Sequence, residues 1–371
     1  MVSLNSFITQ KIVLNRIIRQ ISTGILCLRP LKNPLYFLKI IVPLLIFFSF
    51  AFNLVVAQSV SVEILQQGKS FDDSAYYDIL KVDAENYWLV GKYGIISNYN
   101  VNGVITSVNY PSNHRDIYKI DQFDESNFIA CADKGNLYFY NMVSNQWKSK
   151  QIAGFENSCF YNITIIDKKS ALICGGRSAI AHSKKAIPNG FIIKTTDGGE
   201  TWTKVYSSPF KMIWSVDYNA ENEKASALVY VPNHTNLFSS SDFGNTWKKE
   251  RKIGRGIYYD IESGNQQEQI CYGGKINGSG KLKYGSDDEI EFKESGLIWS
   301  KTVLDNYEIM TACNGNILFS DNGTNQQLIH TELTDQFSLY KAAFVSPTQA
   351  IVVGSGKTIL QVNIHPTVTQ E

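Results

Sequence analysis

From about residue 60 onward the chain alternates short apolar runs with polar turns, and no stretch sustains a helical period. Seven apolar openings recur. They lie near Tyr77 (YYDILKVD), Ile117 (IYKIDQFD), Phe160 (FYNITIID), Ile213 (IWSVDYNA), Ile257 (IYYDIESG), Ile298 (IWSKTVLD) and Leu339 (LYKAAFVS). A second set of runs follows them: YWLVGK at Tyr87, FIACAD at Phe128, ALICGG at Ala171, ASALVY at Ala225, QICYGG at Gln269, IMTACN at Ile309 and AIVVGS at Ala350. The period of roughly 40 to 53 residues is the length of a four-stranded propeller blade.

Two segments punctuate the repeat, Thr195-Thr196-Asp197-Gly198-Gly199-Glu200-Thr201-Trp202 and Ser240-Ser241-Asp242-Phe243-Gly244-Asn245-Thr246-Trp247. Both read Ser/Thr-x-Asp-x-Gly-x-Thr-Trp, about 45 residues apart. The chemistry suits a tight hairpin. The carboxylates of Asp197 and Asp242 can accept from backbone N–H groups two or three residues on, and Gly199 and Gly244 can take a positive φ. Thr201 and Thr246 start the next strand, and Trp202 and Trp247 can bury a large ring beneath the turn. Weaker copies end at Trp147, at Ser286-Asp287-Asp288 with Phe292, and at Ser320-Asp321-Asn322-Gly323.

The pattern resembles the Asp-box, or bacterial neuraminidase repeat, of β-propellers such as sialidases, sortilin-type receptors and the photosystem II stability/assembly factor-like proteins. That resemblance implies a structural hairpin between the third and fourth strands of a blade, away from the ligand-binding face, with no catalytic role for Asp197 or Asp242. The repeat predicts an all-β, seven-bladed propeller over residues 58–366. Its last unit stops after a third strand, and the spare strand Val60–Leu65 closes it, leaving no exposed edge. Residues 1–57 form a separate N-terminal region, and 367–371 a short tail.

Ile40 to Val56 is almost unbroken apolar sequence, preceded by Arg29, Lys32 and Lys39 and followed by Ala57-Gln58-Ser59. It reads as a secretory signal peptide cut after Ala57. The alternative is an uncut membrane anchor with its basic side in the cytoplasm. Either reading places the propeller outside the cytoplasm, secreted or periplasmic. Cys131, Cys174, Cys271 and Cys313 are expected at equivalent positions of second strands, too far apart to bridge, with only Cys159 left open to pairing. Neither metal-ligand spacing nor a phosphate-cradling motif is present, and no cofactor is expected.

A net charge of +1 gives no reason to expect nucleic acid as a partner. The resemblance to sialidases would demand an arginine triad and an Arg-Ile-Pro motif, but none of Arg115, Arg177, Arg251 and Arg255 is followed by Ile-Pro. No pair of carboxylates is selected for glycoside hydrolysis. Acids such as Asp83, Glu85, Asp121, Asp124, Glu125, Asp167, Glu221 and Glu223 fall in the turns after first strands and read as a solvated rim.

In a propeller the second-to-third-strand loops and the blade-to-blade loops share the face where the channel opens. That face collects Lys92, Lys134, Arg177, His182, Lys184, Lys185, His234, Lys252, Arg255, Lys275 and Lys357, with Asp133 the one clear acid among the second-to-third-strand loops. The longest loop, Gly175 to Gly190, belongs to it. Long loops on a rigid scaffold often carry binding, and like charge concentrates opposite charge. The expected partner is an acidic protein segment or an anionic glycan, bound by a monomeric scaffold. Resemblance to the photosystem II stability/assembly factor-like family implies a non-catalytic binding or assembly role. The competing reading is an exported carbohydrate-active enzyme on the same fold. Four Asn-x-Ser/Thr sequons, at Asn162, Asn233, Asn277 and Asn322, matter only in a glycosylating host.

Overall fold

A computed structural model describes residues 59–68, 74–108, 114–177, 189–263, 269–285, 288–321, 326–333 and 336–365. The expected signal or anchor at Ile40–Val56, the loop bearing His182, Lys184 and Lys185, and the weak hairpin positions Ser286-Asp287 and Asn322-Gly323 lie outside them.

The alternating pattern folds into seven four-stranded antiparallel sheets, each a blade of a β-propeller. The first strands are Tyr76–Lys81, Ile117–Asp124, Ser158–Ile165, Met212–Asn219, Ile257–Ser263, Ile298–Leu304 and Leu339–Ser346, for blades 1 to 7. Each packs against the first strand of the next blade, and that of blade 7 packs against that of blade 1. Blades 1 to 6 are continuous in sequence. Blade 7 takes its outer strand from the other end of the chain, where Ser59–Gln66 pairs antiparallel with Ile359–His365 in a register that sets Val62 opposite Val362. The predicted closure is therefore present, and it supplies partners to an edge that would otherwise template aggregation.

The core lies between blades. Second strands read as buried runs because both faces of each sheet are covered: Tyr87, Leu89 and Val90 are buried in blade 1, and Ile351, Val352 and Val353 in blade 7. Inter-blade clusters interleave these faces, as where Trp88 and Val90 of blade 1 meet Ile117, Phe128 and Trp147 of blade 2.

The two Ser/Thr-x-Asp-x-Gly-x-Thr-Trp segments join third to fourth strands in blades 3 and 4. Their carboxylates reach further than expected. Asp197 accepts from the Thr201 N–H at 2.9 Å, four residues on, and from the Thr195 and Thr201 hydroxyls, while the Thr195 hydroxyl oxygen accepts the Gly199 N–H. Asp242 repeats the arrangement with Ser240 and Thr246. The Trp202 and Trp247 indole N–H groups donate to the Gly199 and Gly244 carbonyls, pinning half-buried rings under the turns.

No disulfide joins the five cysteines of the described residues. Their expected equivalence holds only for Cys131 and Cys174, which lie opposite Lys119 and Asn162. In blade 5 that register position belongs to Tyr272, so Cys271 points to the other face of its sheet. Cys313 lies beyond its strand, at the turn, because Thr311 is the residue opposite Ser300.

Candidate functional site: an aromatic ring at the channel mouth

One aromatic residue of every apolar opening, the second in all but blade 5, does something local propensity does not reveal. In each blade the ladder between first and second strands slips by one residue at the same place, a β-bulge near the start of the first strand. Tyr76 faces Gly91 and Asp78 faces Val90, so Tyr77 has no cross-strand partner. The bulged residues are Tyr77, Tyr118, Tyr161, Trp214, Tyr259, Trp299 and Tyr340. In blade 5 the bulge comes one residue later in the opening, after Tyr258 rather than Ile257, because Ile257 already pairs with Gly274 and Tyr258 with Gly273. A bulge re-aims side chains, and here it sends the aromatic residue of every blade, and its successor in all but blade 4, into the channel.

The glycines that end second strands belong to the same device. A β-carbon on Gly91 would lie 2.8 Å from the Ala75 carbonyl carbon and 2.9 Å from the Tyr76 Cα. Gly175, Gly273 and Gly354 meet the equivalent backbone of their own blades. In these four blades the bulge pushes the first strand onto the second at this point and glycine avoids the contact, whereas Ala132, Val229 and Ala312 hold the same register position in blades 2, 4 and 6.

The seven bulged rings form a closed circuit. Neighbouring centroids lie 5.6 Å apart for Tyr77–Tyr118, 5.7 Å for Tyr118–Tyr161, 5.0 Å for Tyr161–Trp214 and 5.5 Å for Trp214–Tyr259. Tyr259–Trp299 at 4.6 Å, Trp299–Tyr340 at 5.3 Å and Tyr340–Tyr77 at 5.3 Å complete it. Such spacings put the centroids on a circle of roughly 6 Å radius, with pairs in the favourable stacked, tilted and edge-on ranges. Burial raises the phenols of Tyr77, Tyr118, Tyr161, Tyr259 and Tyr340 above the ordinary tyrosine range, Tyr340 to about 12, so the ring is neutral at physiological pH.

Beneath the ring lies a polar floor made by the next residue of six blades, Asp78, Lys119, Asn162, Asp260, Ser300 and Lys341, while Ser215 of blade 4 is buried and donates to Asp260. Ring and floor enclose a cavity of about 220 Å³. Asp78 accepts the Ile120 N–H at 2.9 Å and faces the Lys119 amine at 4.0 Å. Asp260 accepts from the Ser215 hydroxyl, from the Tyr272 hydroxyl at 3.1 Å and from the Asn162 amide at 3.4 Å. Lower in the wall, Lys301 bridges Glu262 at 3.6 Å and Glu308 at 3.0 Å. Desolvation pulls the Lys119 ammonium down, but Asp78, Asp260 and Asp121 together outweigh it and hold the amine above the ordinary lysine range. Asp121 is pushed up to about 6 by burial, which Lys119 and a backbone N–H only partly offset. It is part of the inner wall and not of the solvated rim, a correction to the sequence reading. Three other acids of first-strand turns are hairpin locks, while Glu85, Glu125, Glu221 and Glu223 are exposed as the rim reading expects. Asp83, Asp124 and Asp167 each accept two backbone N–H groups, from residues two and three positions on.

Of the basic residues singled out in the sequence, three are brought together at the mouth. Lys92, Lys134 and Lys357 occupy tight turns of blades 1, 2 and 7, in which Tyr93, Lys134 and Lys357 adopt left-handed φ beside a glycine. These turns form a chain. Gly356 and Lys92 donate their N–H groups to the Ser74 and Ala75 carbonyls, while Tyr93 and Asp133 donate theirs to Asp116. Asp116, which the sequence reading passed over, therefore sits between the basic turns, and with Asp133 it breaks up their positive charge. His234 and Arg255 face each other across the third and fourth strands of blade 4, away from that arc. Lys252 faces Asn236 on the same pair of strands, and Lys275 is exposed past the second strand of blade 5. Arg177 ends the second strand of blade 3, opposite Ser158.

No family model matches the chain, and no curated protein matches it in sequence. Solved structures do. YCF48 bound to D1 peptide aligns at a TM-score of 0.59 and 12% identity, over 82% of this chain and 94% of its own. YCF48 from Cyanidioschyzon merolae gives 0.61 and 12%, over 82% and 99%. Virginiamycin B lyase from Staphylococcus aureus gives 0.62 and 12%, again over 82% and 99%. These neighbours differ in what they do, so at this identity the likeness is one of fold alone: the chain is a seven-bladed β-propeller of the kind shared by YCF48 and the virginiamycin B lyase.

Proposed function

We propose that this chain is an exported, non-catalytic binding scaffold that takes a protein or glycan partner at the mouth of its channel. The observation that carries the reading is the closed ring of seven aromatic side chains, one from each blade. Aromatic rings with polar groups below them make a general recognition surface, apolar on its faces and specific at its floor. The arc of Lys92, Lys134 and Lys357 beside the mouth supplies contacts to acidic groups of the same partner. A YCF48 structure on this fold holds a D1 peptide, which supports a polypeptide as the occupant. The apolar run Ile40–Val56 supports export.

The channel carboxylates favour binding over hydrolysis. Asp78 and Glu262 are engaged by lysines, and Asp260 by three side-chain donors. A general acid and a base free to exchange protons with a substrate would not be tied up in this way. The test is capture of partners from the envelope of the native host by the wild-type chain and by a Trp214→Ala/Trp299→Ala variant, alongside fluorogenic glycoside assays. Capture should be lost in the variant. Capture that survives places the partner site elsewhere, and turnover of any glycoside overturns the non-catalytic reading.

A further inference from the structure

Three lysine amines reach into the channel wall, and two are held. Lys119 faces Asp78 at 4.0 Å, and Lys301 lies between Glu262 and Glu308. Lys341 differs from both. It lines the cavity beneath the aromatic ring, and among the described residues no ion pair or hydrogen bond engages its amine. Its position follows from the fold, because it succeeds the bulged Tyr340 and so occupies the floor place that Asp78 and Asp260 occupy in blades 1 and 5. Desolvation lowers the pKa of its ammonium below the ordinary lysine range, and the nearby Lys119 charge adds to that. Asp78, Asp260 and Glu262 oppose the shift without cancelling it. A lysine that is desolvated and close to a second cation is the arrangement that turns an ammonium into a nucleophile.

The surroundings narrow what such an amine would meet. The floor balances Asp78 and Asp260 against Lys119 and Lys341, so it offers an entering ion of either sign no net opposite charge to offset the loss of its hydration. A neutral molecule pays no such penalty, and the ring offers apolar faces to its body. We propose that Lys341 is a nucleophilic amine that captures a small neutral carbonyl compound, an aldehyde or ketone, as an imine inside the channel. The Nζ lone pair attacks the carbonyl carbon, forming a C–N bond and opening the C=O double bond to a carbinolamine. The carbonyl oxygen then leaves as water with the two amine hydrogens, and C=N remains. The exchange is balanced without an oxidant or reductant. This chemistry is independent of partner capture, so either can fail alone.

The experiment is reductive trapping on the folded full chain at neutral pH with propanal and cyanoborohydride, followed by peptide mass mapping of every lysine. Lys341 should be alkylated severalfold faster than the exposed Lys248, Lys249 and Lys275. Oxidised dextran, an aldehyde too large to pass the ring, should label those exposed lysines and spare Lys341. Lys341→Arg, shown to be folded by its thermal melt, should abolish the preferred adduct while leaving surface labelling unchanged. Alkylation of Lys341 at or below the rate of the exposed lysines overturns the proposal. So does labelling of Lys341 by dextran, or a preferred adduct that persists in Lys341→Arg.

Discussion

Gly91→Ala tests the link between a sequence rhyme and the ring. An alanine β-carbon would stand 2.8 Å from the Ala75 carbonyl carbon and 2.9 Å from the Tyr76 Cα, and closer still to the Ala75 carbonyl oxygen. All three are backbone atoms, so relief requires the start of the first strand to move as a unit. Tyr77 moves with it, and its neighbours Tyr118 and Tyr340 are already at centroid distances of 5.6 and 5.3 Å. Inserted atoms in a packed region cost about 1–3 kcal/mol. A protein of this size loses roughly 2–4 °C in Tm for each kcal/mol. The paired control is Ala132→Gly, at the matching register position of blade 2, where the wild type already carries a β-carbon opposite Ile117. That change should cost only about 0.5–1 kcal/mol, from the freedom gained by the unfolded chain. Urea unfolding of both variants, with partner capture measured on each, gives the answer. A Gly91→Ala protein within about 0.5 kcal/mol of wild type, the range of an unremarkable surface change, refutes the claim that the bulge of blade 1 requires glycine.

Three further outcomes are expected. Asp197 and Asp242 are held down to about 2 by the hydroxyl and N–H groups they accept. A depressed carboxylate stabilises the fold above its unfolded pKa, and that stability is lost as pH falls from about 4 toward 2. Asp197→Asn should therefore cost about 1 kcal/mol at pH 7, with the cost shrinking below pH 4 and vanishing only once pH has fallen through about 2, as read by denaturant midpoints across pH. Asp121 has the opposite sign: raised to about 6, it favours the fold below about pH 4 and loses that contribution as pH rises through 6. Asp121→Asn should thus gain on wild type between pH 4 and 7 in thermal melts, and a gain confined to acid pH would contradict its place in the wall. Deleting Ser59–Gln66 exposes the edge of Ile359–His365 and should drive the protein into aggregates on size exclusion; a monodisperse, equally stable product would show that closure contributes nothing.

Much of the fold was legible because it is periodic and local. The apolar openings, the Gly-ended second strands and the two Asp-Gly-Thr-Trp turns each report a strand or hairpin from neighbouring residues, and the spare strand at Val60–Leu65 could be matched to an incomplete last unit. The site was half legible. Tyr or Trp stands second in every opening, although in the fifth it is the third residue, Tyr259, that joins the ring, yet an aromatic residue early in a strand ordinarily signals a core. Only the bulge, which depends on pairing with the second strand, turns it toward the channel. The cysteines show the same limit, since Cys271 and Cys313 fall out of register by one and two residues and a slip of one residue changes the face.

The amino-acid sequence by itself determined the repeat, its count and its closure, because alternation and turn chemistry act over a few residues. Only the tertiary structure decided the function-bearing features. The ring joins residues 40 or more positions apart whose centroids meet at about 5 Å, and the pairing that holds Lys119 and leaves Lys341 unheld exists only once seven blades close on one axis. Side chains drawn from seven separate stretches share an environment that no window of the chain contains.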